Sequence, residues 1–537
     1  MTIYTAVSFA PVQGFIEKSR KLRDLFGASL ILSYLSRKLV DRAEELGLEV
    51  ISPGAPDLME GMPNRILVKG FIDSEDAKKA FEKTWNRDVV KNILVQEWRH
   101  ILRKCREWVE KKIPKEQYYW SQQEEDIGKQ KGEWERWESY AWEVFWGSGK
   151  SVKDAMEALE TCKLKRDWIG INWVGESSSL SGTDAISWDG LGKESKQPWE
   201  WAQHKDAVKS FYEELARVTE EPNGQLLGKF LDPSEKLSIP ELVKRLVTRY
   251  EDIGKHFGKE FKFDSLAEMV RLPKPGQPGH WTGWFMGDGD EIGMKLKKLA
   301  ENSDDTKPLK DFSNAMRNWG NKFQKDFPED LGRVIYAGGD DFLGVIYSKN
   351  PETPIPQQQA LEWLRGLNQQ WKTPDRDVNV SVGFVWAGHS VPQRDVLQHC
   401  REAEKRSKSL GRDRVTIRVV FNSGQYVQWT CPWAHLKILD RYKDRVGGKN
   451  WAHLYNDWAH LKSRHAIRFR EINNNRIDRD LPLAMLDLYF DELGQEIRQA
   501  KEKENQWEAI TGDNSDAAIV QWINDLVQVG WQLCSNT

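Results

Sequence analysis

Arg333-Val-Ile-Tyr-Ala-Gly-Gly-Asp-Asp-Phe-Leu-Gly-Val-Ile-Tyr347 is the stretch on which the fold turns. Two runs of β-formers flank Gly338-Gly339-Asp340-Asp341, which predicts a β-hairpin with a tight turn, because glycine supplies the positive φ such turns demand. Two adjacent ionised aspartates are costly unless a cation holds them together. Magnesium with a nucleotide phosphate is the usual reason for that placement. Glycine and aspartate are also ordinary turn residues, so the turn alone does not decide.

Working outward, Trp281–Gly287 predicts a strand that runs into Asp288-Gly289-Asp290-Glu291, followed by a helix at about Pro308–Phe327. In a β-α-β-β order the first two strands are parallel, joined by a right-handed crossover, so their carboxyl ends share one sheet edge. Asp288 is therefore expected beside Asp340 and Asp341, with Asp290 close by. A third carboxylate beside an adjacent pair points to a metal site rather than a solvated turn. Leu361–Leu367 predicts a helix, Val378–Trp386 a strand, Arg394–Leu410 a charged helix and Arg414–Phe421 a last strand. Together they make a ferredoxin-like palm with added elements. Lys408 and Arg412, at the end of the charged helix, read either as a solvated helix terminus or as cations reaching a triphosphate. The acidic cluster favours the second.

The amino-terminal segment repeats the plan without the chemistry. Ile3–Phe9 predicts a strand, a helix follows Pro11, Arg65–Gly70 is a strand, about Ser74–Glu110 is helical, and Tyr140–Trp146 closes the sheet. Its first strand ends in Ser8-Phe9-Ala10-Pro11, and Ser52–Asn64 holds no paired carboxylates. One palm with ligands and one without predict an asymmetric pseudo-dimer with nucleotide in the cleft between them. Gly27, Ser29, Arg20 and Arg23 read either as its opposite wall or as a packing glycine and solvated cations.

Asp288 to Arg412 resembles the catalytic palm of nucleotide cyclases and polymerases. Nearly end to end, the chain resembles the large palm-domain subunit of type III-B CRISPR effector complexes, the Cmr-type member of the Cas-ten family. The resemblance rests on Ser8-Phe-Ala-Pro-Val-Gln-Gly-Phe-Ile-Glu-Lys-Ser-Arg-Lys-Leu-Arg-Asp-Leu-Phe-Gly-Ala-Ser-Leu-Ile-Leu-Ser33, Pro63-Asn64-Arg65, Glu235-Lys-Leu-Ser-Ile-Pro-Glu-Leu-Val-Lys-Arg245, the Gly-Gly-Asp-Asp turn, and Lys408 with Gly411-Arg412. It implies an effector subunit that polymerises ATP into cyclic oligoadenylate when guide RNA pairs with target RNA, in company with the other subunits of the ribonucleoprotein. It further implies two Mg²⁺ or Mn²⁺ ions held by Asp288 and Asp340, helped by Asp341 and Asp290. Gly289, Gly338, Gly339, Lys408 and Arg412, with Ser29 of the first palm, are the expected nucleotide contacts.

Two departures from the family matter. Members often carry a zinc-binding Cys-x-x-Cys in the linking region, where this chain has Ser178-Ser179-Leu180-Ser181-Gly182. Serine is a poor zinc ligand, so no zinc is expected, and Trp168, Trp173 and Trp188 are candidates for packing in its place. Many relatives start with an HD-type nuclease domain, but this chain has no His-Asp dipeptide, so DNA cleavage by it is not expected.

The expected fold class is α+β: a degenerate first palm over 1–150, a helical linking domain over 151–280, the catalytic palm over 281–425 and a helical domain over 426–537. A chain of 537 residues exceeds one core. A net charge of −3 gives no global nucleic-acid signature, so RNA contacts would use local patches or partner subunits. No apolar run is long enough to span a membrane, and five scattered cysteines suit a reducing cytoplasm. Trp-Ala-His-Leu recurs at 433–436, 451–454 and 458–461. That spacing reads as helix-packing core, with a metal or RNA contact through His453 and His460 as the lesser alternative. Arg464, Arg468, Arg470, Arg476 and Arg479 read as an RNA-facing stretch or as solvated surface. Two rival functions stay open: a stand-alone nucleotide cyclase, which would turn over without RNA, and an architectural subunit, which would not turn over at all.

Overall fold

The computed structural model describes residues 2–53, 64–71, 74–113, 133–166, 170–171, 176–188, 198–220, 230–254, 269, 271, 276, 279–301, 306–350, 352–372, 377–470, 477–504 and 507–535. Trp168, Trp173, Pro63 and Arg476 lie outside them. The fold is mixed α+β with two sheets, and the chain divides into two compact units, 1–268 with 295–318, and 269–294 with 319–537.

The first unit holds a four-stranded antiparallel sheet of β1 (Thr2–Ala10), β2 (Glu49–Ser52), β3 (Arg65–Phe71) and β4 (Glu143–Gly149), in the order β2-β3-β1-β4. That is the ferredoxin-like order. Sequence periodicity missed β2, whose four residues are too few to show a pattern, and placed β4 three residues early. A helix over Glu133–Tyr140 runs up to that point instead. The helix expected over Ser74–Glu110 is two, Glu75–Thr84 and a longer one at Arg87–Lys112. Asn86 separates them, its side chain accepting the Val89 N–H at 2.9 Å as an amino-terminal cap.

Helix α1 (Leu22–Glu45) lies against α2 (Ile239–Val247). The start of α2 is written in Ser238-Ile-Pro-Glu241. The Ser238 hydroxyl accepts from the Glu241 amide, Glu241 accepts from the Ser238 amide at 2.7 Å, and Pro240 occupies the first turn. The two helices approach so closely at Gly27 that a Cβ there would stand 2.0 Å from the Lys244 carbonyl oxygen. Charge is buried at this contact. Arg245 donates to Asp24 at 2.8 Å and to Glu235 at 2.7 Å, while Lys244 donates to the carbonyls of Phe15 and Lys18. Burial of the Lys244 ammonium pulls its pKa down to about 8. In the linking region, the Ser178 hydroxyl donates to Glu241 at 2.6 Å and accepts from the Leu180 amide at 3.0 Å, and Trp188 is fully buried.

The second unit holds six strands: β5 (Thr282–Gly289), β6 (Gly332–Ala337), β7 (Asp341–Ile346), β8 (Val380–Ala387), β9 (Arg414–Val420) and β10 (Tyr426–Pro432). Their order is β10-β9-β8-β5-β7-β6, so β8-β5-β7-β6 repeats the ferredoxin-like order and β9 and β10 extend it. β5 and β6 both run antiparallel to β7 and hence parallel to each other, as the crossover argument predicts. One sheet face carries an aromatic layer. Phe285 and Phe342 meet Trp319 and Phe323 of α3 (Lys307–Asp326) and Trp363 and Trp371 of α4 (Gln357–Trp371). The other face carries α5 (Gln393–Ser409) across β8, β9 and β5.

The boundary expected at 425 falls between two strands of this sheet. The helical patterning from 426 onward does not hold at its start, where Tyr426–Pro432 pairs with β9 along seven residues. Helix α6 (Asp516–Cys534) covers that strand, where Trp522 donates to the Thr430 carbonyl at 2.9 Å and its ring lies 5.5 Å from Trp429. Trp433, Trp451 and Trp458 of the recurring tetrapeptide are buried, and His453 places Nδ1 2.6 Å from Asp444. Among the described residues no helix is long and apolar enough to cross a membrane.

Candidate active site at the rim of the second palm

β5 ends where β7 begins, and the register pairs Asp288 directly with Asp341. The Gly338–Asp340 turn closes against that pair. The Gly289 amide donates to the Asp340 carbonyl at 2.7 Å, and the Gly338 amide to the Asp341 carbonyl at 2.8 Å. Gly339 has φ 126°, a conformation that side chains disfavour, which explains the second glycine. Opposed like charges destabilise a strand pair, so the placement needs a cationic counterpart.

In this structure the Lys408 ammonium supplies it. Lys408, in the last turn of α5, is in hydrogen-bond contact with Asp288 and lies 2.6 Å from Glu404, one turn earlier on the same helix. One ammonium does not balance the cluster. Burial pushes the Asp288 pKa up to about 6 against the pull of Lys408, and Asp340 and Glu404 add to the rise. Asp341 rises to about 8: the surrounding protein disfavours its charged form, and Asp340 and Asp288 repel it. Lys408 moves up in turn: burial opposes the rise, but the bonds from Asp288 and Glu404 outweigh it. The Tyr336 hydroxyl, on β6, is raised by burial and by the charges of Asp341 and Asp288.

The other expected residues fall into distinct places. Both Asp290 oxygens are engaged, one accepting from the Ser381 hydroxyl at 2.7 Å and one from the Asp413 amide at 2.9 Å, so its carboxylate braces β8 and the turn before β9. Arg412 has φ 62°, and its guanidinium lies 3.7 Å from Glu291, half exposed. Its amide donates to the Ser407 carbonyl at 3.2 Å, closing the end of α5. Ser29, in the first unit, is buried in α1, 4% exposed. Glu404 and Tyr336 join the cluster without having been expected there. Glu404 stands four residues before Lys408 on a helix, and Tyr336 lies on the hairpin arm leading into the turn, so spacing was the available signal.

Among the described residues, no three His, Cys, Asp or Glu side chains converge closely enough to hold a metal ion as they stand. The donor set nevertheless fits a divalent cation in kind. Carboxylates of β5 and of the hairpin face each other, partly desolvated, with raised pKa values that a hard cation would relieve.

Residues 282–416 match the Cas10/Cmr2 second palm domain, and residues 4–59 match the amino-terminal region of CRISPR-associated protein Cmr2. Two separate stretches of the chain are thus similar to domains of the Cas10/Cmr2 family. Solved structures of similar fold include a type III-B Cmr-β complex in the apo state, 11% identical with a TM-score of 0.54, covering 91% of this chain and 77% of that one. An apo Csm1–Csm4 cassette is 14% identical with a TM-score of 0.46, covering 98% and 69%. A Csm1–Csm4 cassette in complex with cA4 is 12% identical with a TM-score of 0.45, covering 98% and 69%. No curated protein matches the chain significantly.

Proposed function

We propose that this chain is the nucleotidyl-transferring subunit of a type III CRISPR effector, of the III-B subtype, and polymerises ATP into cyclic oligoadenylate. The carrying observation is the register pair of Asp288 and Asp341 beside the Gly338–Asp340 turn, with Lys408 at its edge. Asp288, Asp340 and Asp341 would hold two Mg²⁺ or Mn²⁺ ions. When bound, such ions supply the positive charge that acidifies a ribose 3′-hydroxyl and stabilises an α-phosphate under in-line attack.

The protein's own groups do the rest. Gly338 and Gly339 would leave the turn without side chains to fend off phosphates, whereas Gly289 is buried and a Cβ on it would meet Ile292 at 2.9 Å, so that glycine serves packing. Lys408 neutralises the departing pyrophosphate, and Arg412, on its exposed turn, adds charge at the same edge. Asp290 holds that turn to β8 and so fixes where Arg412 starts. Adenine preference, triggering by guide–target RNA pairing and company with further subunits come from the family.

One observation favours a second, architectural reading: the Lys408 ammonium already neutralises Asp288, as it would in a site that no longer binds metal. Incubating the assembled complex with labelled ATP, Mg²⁺ and matching RNA separates the two. Cyclic oligoadenylate that is lost in Asp340→Ala/Asp341→Ala supports transfer. Turnover by the isolated chain without RNA indicates a stand-alone cyclase, and no turnover under any condition leaves the architectural role.

A further inference from the structure

The Lys408 ammonium has two carboxylate neighbours of different kinds. Asp288 comes from β5 and belongs to the proposed cation site. Glu404 comes from Lys408's own helix, is buried at 7% exposure, and meets no other cation among the described residues. Burying a carboxylate carries a desolvation cost that a single cationic neighbour repays only in close contact, so Glu404 holds Lys408 at 2.6 Å. Glu404 is four residues before Lys408, the helix spacing at which a lysine stays within reach through small rotamer changes.

A divalent cation on Asp288 repels an ammonium in contact with the same carboxylate, so the two positive charges compete for it. Lys408 must then leave Asp288, and an unguided lysine would swing to solvent, away from the edge where phosphate charge develops. We propose that Glu404 is a positioning residue that takes over Lys408 when a divalent cation takes Asp288, so that cation loading and lysine placement are one exchange. The inference rests on the reading of Asp288 and the hairpin turn as a cation site. It adds a residue to that site and a cause for its buried charge.

Mn²⁺ binding to the full chain, without nucleotide, tests this by calorimetry or by the paramagnetic signal of free Mn²⁺. Lys408→Met should tighten Mn²⁺ binding, because the competing ammonium is gone. Glu404→Gln should weaken it about five- to ten-fold, the scale of a charge-pair coupling, because Lys408 is left with Asp288 alone. In the Lys408→Met background, Glu404→Gln should change Mn²⁺ affinity by less than about two-fold, a scale at which sites count as uncoupled. Glu404→Asp, which keeps the charge but shortens the reach, should behave as an intermediate, and it guards against a Glu404→Gln variant that fails to fold. Equal weakening by Glu404→Gln in both backgrounds overturns the exchange: Glu404 then acts only as a distant negative charge. So does a Glu404→Asp variant indistinguishable from the parent. A Mn²⁺ affinity unaltered by Asp288→Asn and by Asp340→Asn/Asp341→Asn instead overturns the cation site itself, and this inference with it.

Discussion

Replacing Asp341 by asparagine should stabilise the cation-free protein, and only at high pH. Directly opposed side chains of an antiparallel pair lie about 5 Å apart. At that distance two unit charges repel by about 3 kcal/mol at an effective dielectric of about 20 and about 0.8 kcal/mol in bulk water. Asp341 reaches solvent, so the lower end applies, and the gain from Asp341→Asn is about 1 kcal/mol. The pH window follows from the raised pKa. Desolvation and the charges of Asp340 and Asp288 raise the Asp341 pKa in the folded chain above its ordinary value of 3.8. Between the unfolded and folded values the folded state binds more protons than the unfolded state, so stability falls as pH rises and the penalty is complete above the folded pKa. With a chelator present, the calorimetric melting temperatures of parent and variant should lie closer together at pH 4.5 than at pH 9. At pH 9 the variant should melt about 2–4 °C higher, the shift for about 1 kcal/mol in a unit of this size. Added Mn²⁺ should raise the parent at pH 9 more than the variant. A variant less stable than its parent at pH 9, or a difference that does not change with pH, refutes the reasoning.

Two further outcomes are expected. Arg245→Met strands Asp24 in a fully buried position and should cost about 3–5 kcal/mol by denaturant titration. A loss below about 1 kcal/mol would mean that the Arg20 and Lys21 amides, each 3.0 Å from Asp24, satisfy it alone. Gly339→Ala forces a side chain onto φ 126° and should cost about 1–3 kcal/mol. It should also reduce the stabilisation by Mn²⁺, because the turn that aims Asp340 relaxes. Mn²⁺ stabilisation equal to the parent's would show that the turn geometry does not position the carboxylates.

The elements that carried a period or a turn signal were legible in the sequence. Both hairpin arms, β5, β8, β9 and α5 fell within a few residues of their expected bounds. What escaped was short or was decided by a partner. β2 has four residues and no room for alternation. β10 is half exposed at its start and is a strand because β9 offers an edge and α6 a cover, neither of which is local information. In the site, the meeting of Asp288 with the hairpin was legible because topology fixes which strand ends share a rim. The commitment of Asp290 to Ser381 and of Glu404 to Lys408 was not. A carboxylate letter does not say whether its oxygens face a cleft or a neighbouring amide.

The two palms show what the second retains. They share one strand order, and the end of β1 opposes the start of β3 as the end of β5 opposes the start of β7. At that rim the first palm pairs Ser8 with Arg65, and the Asn64 amide donates to the Phe9 carbonyl at 2.9 Å and to the Ser8 hydroxyl at 3.3 Å. The Arg65 guanidinium turns to Glu160 at 3.1 Å, and the described part of this rim holds no opposed carboxylates. The first unit places its buried charge elsewhere, in Asp24, Lys244 and Arg245, where every partner belongs to the protein and the result is a held helix contact. In the second palm the same rim holds opposed carboxylates with a single ammonium between them and Glu404. Among the described residues the same strand order thus stands once without opposed acids, so the topology alone does not dictate the acids of the second palm, as the proposed cation site requires.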